Sequence, residues 1–230
     1  MRMLTQQAGH PVHVAVPQRG EKAEQVRLAG ENAAQRLQQA AGREERENRL
    51  LEALQKLLSL ERLPKRIEAY DISNTGGADI VDSMVVHTDG RPLKRDYRQF
   101  KIKDQTGQDD YQAMGEVLRR RLRRYADGDQ RFAILPDLVL IDGGHAHVHV
   151  AKRELDAMGL SIPAFGMVKD ERHRTRALVD PDGGEIGLSA NQSLFAFIGR
   201  IQEETHRFAI TFHRALRKTA GSPCWIRFPE

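Results

Sequence analysis

Pro136-Asp137-Leu138-Val139-Leu140-Ile141-Asp142-Gly143-Gly144 is the stretch that decides the fold class. Four consecutive apolar residues bounded by turn formers read as a strand buried on both faces, the pattern of a parallel sheet. The strand stops at an aspartate and two glycines. A helix then runs to about Met158, with Val148, Ala151, Leu155 and Met158 recurring at helical spacing. Strand, tight turn and helix together form the repeating unit of α/β sheets.

Working outward, residues 163–168 read as a further strand. A polar loop follows, then a short hairpin around Asp180-Pro181-Asp182-Gly183-Gly184 and a long helix from about Asn191 to Leu216. Upstream, a helix spans about Asp109 to Tyr125. Met114, Val117, Leu118, Leu122 and Tyr125 form its apolar stripe, and Arg119, Arg120, Arg121, Arg123 and Arg124 are assigned to its other faces. Three strands precede it, at residues 66–72, 80–87 and about 96–103. Thr88-Asp89-Gly90 supplies a hairpin signal between the second and third. Before Leu63-Pro64 the composition changes. Residues 21–61 are rich in Ala, Glu, Gln, Leu and Arg, good helix formers, with an expected break at Ala41-Gly42, and residues 11–17 alternate like a short strand. The expected division is a strand remnant and helical arm over 1–64, one domain over 65–218 and a tail over 219–230.

The order β-β-β-α-β-α-β-α, a meander followed by crossovers, is that of the RNase H fold: an α/β, mixed five-stranded sheet flanked by helices, here with an N-terminal helical extension. Such a sheet sets its first and fourth strands side by side.

Composition narrows the function. With 40% hydrophobic and 30% charged residues, and no run near the roughly 20 apolar residues a span requires, a membrane role is not expected. The first residues lack a secretory pattern and the single cysteine, Cys224, cannot pair internally, so a cytoplasmic setting is expected. The net charge of +4 arises from 36 basic and 32 acidic residues, which leaves room for local basic patches. There is no Walker A or dinucleotide glycine pattern and no G-x-S-x-G elbow.

Asp71 lies near the end of the first strand and Asp142 just past the end of the fourth, the edge where open α/β sheets commonly bind ligands. Two carboxylates there repel unless a cation lies between them, and oxygen ligands suit Mg²⁺ or Mn²⁺. The plainer reading makes Asp71 a turn cap and Asp142 a helix cap. On the last helix Leu194, Ile198, Ile201, Thr205, Phe208 and Phe212 form the stripe expected to be buried. His206 is left on its flank beside Gln202 and His213, either as a site residue or as an ordinary solvated histidine.

Several blocks then resemble, in order and spacing, the C-terminal RNase H-like endonuclease domain of UvrC, a subunit of bacterial nucleotide excision repair. They are residues 67–75, 97–103, Asp109-Asp110-Tyr111, 136–144, Lys169 with His173-Arg174-Thr175, and 203–214. The resemblance covers about residues 65–218, and residues 10–60 resemble the segment preceding that domain. It implies a DNA repair endonuclease, linked to the SOS response, that nicks damaged duplex DNA 5′ of a lesion. It also implies Mg²⁺ or Mn²⁺ held by Asp71, Asp142 and His206, with Asp110 and Lys169 in support, and UvrB and UvrA-type proteins as partners of the full-length family member.

The sequence also departs from that pattern. His145-Ala146-His147-Val148-His149 stands where the family has a Lys-Gly-Gln-like run. His145 and His149 share a helix face, which leaves open a transition-metal site or a replaced phosphate-facing base. Residues 221–225 do not resemble the helix-hairpin-helix module expected next, so a non-catalytic DNA-binding or scaffold fragment is the alternative reading. For phosphate contacts the candidates are Arg98, Lys101 and Lys103 on the third strand, Arg119, Arg120, Arg121, Arg123 and Arg124 on the arginine-rich helix, and Arg174 in the loop after the fifth strand.

Overall fold

The computed structural model describes residues 2–11, 15–73, 80–102, 110–170 and 175–220. The chain divides into two compact units, residues 1–46 and 47–230. The first holds helix α1 (Arg2–Ala8) and most of the length of α2 (Glu21–Leu57). No break occurs at Ala41-Gly42: α2 is continuous, because one glycine costs only about 1 kcal/mol relative to alanine and good helix formers flank it. The alternation at residues 11–17 gives no strand in its described part, and residues 12–14 lie outside the described residues.

The second unit begins within α2, earlier than Leu63-Pro64 suggests. Leu51, Leu54 and Leu58 are buried in its core, which is why the leucine periodicity starts there. Its sheet comprises β1 (Arg66–Ser73), β2 (Ile80–Thr88), β3 (Arg91–Pro92), β4 (Arg98–Ile102), β5 (Leu138–Ile141), β6 (Ala164–Lys169), β7 (Thr175–Val179) and β8 (Glu185–Gly187). The order is β3-β2-β1-β5-β6-β7-β8, with β4 also pairing β2.

The expected third strand is therefore two pieces along one neighbour. β3 pairs the far end of β2 and β4 its beginning, with a 3-10 turn at Lys94–Asp96 between them. Asp89 and Gly90 turn the chain at φ +50° and +76°, the left-handed pair that a two-residue hairpin requires. The five-stranded expectation omitted β7 and β8, a hairpin that joins the sheet antiparallel to β6. The first and fourth of the expected strands, β1 and β5, are adjacent and parallel.

Three helices cover this sheet: α3 (Asp110–Ala126), α4 (His145–Ala157) and α5 (Gln192–Ala220). Strand alternation decides which residues meet which layer. On β1, Glu68 and Tyr70 face α3, where Arg121 binds Glu68, while Asp71 and its cross-strand partner Ser83 face α5. The α5 stripe buries Leu194, Phe197, Ile198, Ile201, Thr205 and Ala209. No helix among the described residues is long and apolar enough to cross a membrane.

Candidate metal centre at the sheet edge

Asp142 follows β5, yet its backbone stays on the ladder, since its N–H donates to the Tyr70 carbonyl at 2.8 Å. That bond sets Asp142 beside Asp71 at the end of β1. The turn is held tightly against β6: a Cβ on Gly166 would come within 2.3 Å of the Gly143 carbonyl oxygen and 2.7 Å of Val179. Only glycine allows β6 to approach so closely.

Opposite the two carboxylates, α5 brings His206, whose Nδ1 lies 3.1 Å from Asp71 Oδ2. One ligand atom from each of Asp71, Asp142 and His206 can be chosen so that all lie within 4.8 Å of one another, and among the described residues this is the only such group of three. The side chains of Asp71 and Asp142 are both buried, at 8% and 6% exposed, whereas that of His206 is 54% exposed. Burial raises the Asp71 pKa above the ordinary carboxylate range and the neighbouring Asp142 charge raises it further, while His206 and Lys169 pull it back. The site thus concentrates negative charge in a place poor in water.

Each Asp142 oxygen has a partner. Oδ2 accepts from Lys169 Nζ at 2.9 Å and Oδ1 from Gln202 Nε2 at 2.7 Å. Gln202, expected on the flank of α5, is buried instead. It also donates to the Met167 carbonyl at 3.2 Å, and its Oε1 accepts from the Thr175 hydroxyl. Sequence reading missed Gln202 as a site residue, although a signal was present: it stands four residues after Ile198 and three before Thr205, both on the buried stripe.

Asp110 opens α3 and is not among the three grouped ligand atoms. Its charge acts on His147, whose pKa is lowered by burial against the opposing pull of Asp110 and Asp142. His147 packs against Tyr111 with ring centroids 4.5 Å apart. His145 and His149 line a nearby groove of about 290 Å³, and no third ligand joins them among the described residues.

The arginine helix requires a correction. Arg121 is 1% exposed, binds Glu68 through two nitrogens at 2.9 and 3.0 Å, and donates to the carbonyls of Phe132 and Ile134, so it cannot reach a phosphate. Its position explains this: it lies seven residues after Met114 and four after Val117, on the stripe itself. Arg119 grips Glu154 through two nitrogens, and Arg120 pairs with Glu116 at the surface. Arg123 is exposed, and Arg124 is partly exposed over the Phe132 ring. Arg98 is partly exposed, donates to the carbonyls of Arg95, Tyr97 and Arg131, and lies over Phe132. The Lys101 side chain, Lys103 and Arg174 lie outside the described residues.

Residues 55–210 match the UvrC RNAse H endonuclease domain, and residues 1–40 match the UvrC Ribonuclease H-like domain. UvrABC system protein C of Acetivibrio thermocellus is 43% identical over 235 residues, and that of Caldanaerobacter subterraneus subsp. tengcongensis 45% over 226. These alignments cover 94% and 92% of this chain but only 37% and 36% of the relatives, so the chain spans little more than a third of their length. Among solved structures, the catalytic domain of human Endonuclease V aligns with 15% identity and a TM-score of 0.41, covering 70% of this chain and 85% of that one.

Proposed function

The chain belongs to the UvrC RNAse H endonuclease domain family, and from that premise we propose that it is a divalent-metal-dependent DNA endonuclease domain, nicking the damaged strand 5′ of a lesion. The observation that carries the reading is the convergence of Asp71, Asp142 and His206, from two strands and the facing helix, on one point. The donor set fits a hard divalent cation. Two carboxylates, one with its proton affinity raised by the other, gain most from a positive charge between them, and carboxylate oxygens favour Mg²⁺ or Mn²⁺.

Bound there, such an ion would supply activation of water and stabilisation of the charge developing on a scissile phosphate. The residues of the chain do the remainder. Asp71, fixed in the sheet and buried, would hold the cation together with Asp142. His206 stands at the exposed rim. With Nδ1 turned to Asp71, its Nε2 is the ring nitrogen left to meet a water or a phosphate oxygen. Lys169 is 35% exposed on its side chain and sits where its ammonium can turn from Asp142 to an incoming phosphate. Arg120, Arg123 and Arg124 are offered as non-specific backbone contacts. Damaged duplex DNA as substrate, and UvrA and UvrB as partners, belong to the same proposal.

Nicking of supercoiled plasmid in Mg²⁺ or Mn²⁺, with an EDTA control, tests the reading. Asp142→Asn and His206→Ala are expected to lose at least ~100-fold in rate, as when a group stabilising developing charge is removed, while keeping wild-type circular dichroism. DNA binding with no nicking in either metal would overturn the assignment and leave the non-catalytic scaffold in its place.

A further inference from the structure

We infer that Gln202, locked by Thr175, is a positioning residue that fixes the orientation of the Asp142 carboxylate for divalent-cation binding. This rests on the reading of Asp142 as a metal ligand. Gln202 touches neither substrate nor reacting atoms and acts through Asp142.

The hydrogen bonds settle which way the amide points. One end of the side chain meets the Met167 carbonyl, which only accepts, and Asp142 Oδ1, which accepts when ionised. That end must be the NH₂ group, and both its hydrogens are used. The other end is then the carbonyl oxygen, so the Thr175 hydroxyl must donate to it. A flipped amide would set an oxygen against two acceptors and is excluded. Gln202 and Thr175 are 4% and 2% exposed, so water cannot substitute for either partner.

The source of Thr175 matters as much as its bond. On β7 it is the cross-strand partner of Lys169 on β6, and the register shifts between Val168 and Lys169 so that Arg176 is the extra residue. The bulge sets Thr175, rather than Arg176, opposite Lys169. One strand pair therefore reaches both oxygens of Asp142: Lys169 directly at Oδ2, and Thr175 through Gln202 at Oδ1. The two differ in permanence. The Gln202 link is buried and bonded at every polar atom, whereas Lys169 is a flexible, partly exposed ammonium. Oδ1 is thus committed to the protein, and Oδ2 is the oxygen that can turn to a cation when Lys169 releases it. Hydrogen-bonded supports of this kind are typically worth 10–100-fold in metal affinity.

The test is Mn²⁺ binding to metal-free protein by isothermal titration calorimetry, with single-turnover nicking measured alongside. Gln202→Met, close in length but without hydrogen bonds, is expected to weaken Mn²⁺ binding about 10–100-fold. At saturating Mn²⁺ its nicking rate should recover most of the way to wild type, since the ligand itself is intact. Thr175→Val should weaken binding in the same direction and Thr175→Ser should restore it, a pair that decides the matter if Gln202→Met does not fold. A folded Gln202→Met, or a Thr175→Val, that binds Mn²⁺ like wild type would overturn the inference. Wild-type protein that binds no Mn²⁺ would instead overturn the metal-site reading beneath it.

Discussion

Replacing Asp71 by Asn should make the metal-free protein more stable and the metal-loaded protein less so. The carboxyl of Asp71 is buried beside that of Asp142, and both effects hold its proton above the ordinary carboxylate range. The folded protein therefore binds this proton more tightly than the unfolded chain, whose value is near 3.8. The stability linked to it is complete below that pH and is lost as pH rises through the folded value, at about 1.4 kcal/mol per pH unit between the two. The loss grows with pH up to the folded value and is constant above it. Asn carries no charge, keeps a carbonyl oxygen able to accept from His206 Nδ1, and opens no cavity. Each kcal/mol recovered should raise Tm by roughly 2–4 °C for a chain of this size.

Metal reverses the order. An ion at 100-fold over its Kd stabilises the folded state by about 2.7 kcal/mol, and an amide in place of the anionic ligand forfeits most of that. Thermal unfolding of both proteins from pH 4 to 8, in EDTA and in excess Mn²⁺, reads all of this. The advantage of Asp71→Asn in EDTA should grow with pH and vanish near pH 4, and the curves should cross when Mn²⁺ is added. A variant that melts below wild type in EDTA at pH 7.5, or that shows the full Mn²⁺ shift, would refute the reasoning.

Three further outcomes follow from buried groups and exposed charges. Arg121→Met should cost about 3–5 kcal/mol in urea unfolding, because it leaves the buried Glu68 with only a longer contact to Arg66 and the Tyr70 hydroxyl in place of a two-nitrogen ion pair. By contrast, Arg123→Gln with Arg124→Gln should leave stability within about 0.5 kcal/mol and flatten the salt dependence of DNA binding by roughly 0.9 for each phosphate no longer neutralised. Burial lowers the pKa of His87 from 6.5 to about 4, so the stability of its neutral form is present above 6.5 and lost as pH falls toward 4. His87→Leu should remove up to about 1.4 kcal/mol per pH unit of acid destabilisation across that window, read as a flatter Tm against pH.

Where the sequence was legible, a local rule and the tertiary structure demanded the same residue. Leu138 to Ile141 can only be a strand buried on both faces, and its Asp-Gly-Gly end fixes where Asp142 stands. Asp89-Gly90 fits a left-handed two-residue turn and little else. Legibility failed where several weak terms competed. The Ala41-Gly42 break was a contest between one glycine and a long run of helix formers, and the run prevailed. The β7–β8 hairpin was visible as a turn, but nothing local told whether it would add to the sheet.

The misplaced polar side chains share one cause. Arg121 and Gln202 were assigned by residue type to exposed or flanking positions, although each occupies a stripe position by spacing. A polar group there must be bonded, because leaving it unsatisfied costs about 1–3 kcal/mol, and more if it is charged. Its presence therefore points to a second buried polar group across the interface: Glu68 for Arg121 and Asp142 for Gln202. Asp82 shows what happens when no such group is supplied. It is fully buried within β2, neither of its oxygens has a side-chain partner among the described residues, and its pKa is pushed well up by burial and then by the charge of Asp71, against a smaller opposing pull from the Ser83 backbone N–H. Burial and the Asp71 charge both favour the neutral form of that carboxyl, and strand alternation sets it on the face of β2 opposite Ser83, away from the layer that Asp71 meets. The two carboxylates grouped with His206 are thus the pair whose charge a cation would neutralise, with Asp82 turned to the other face of the sheet.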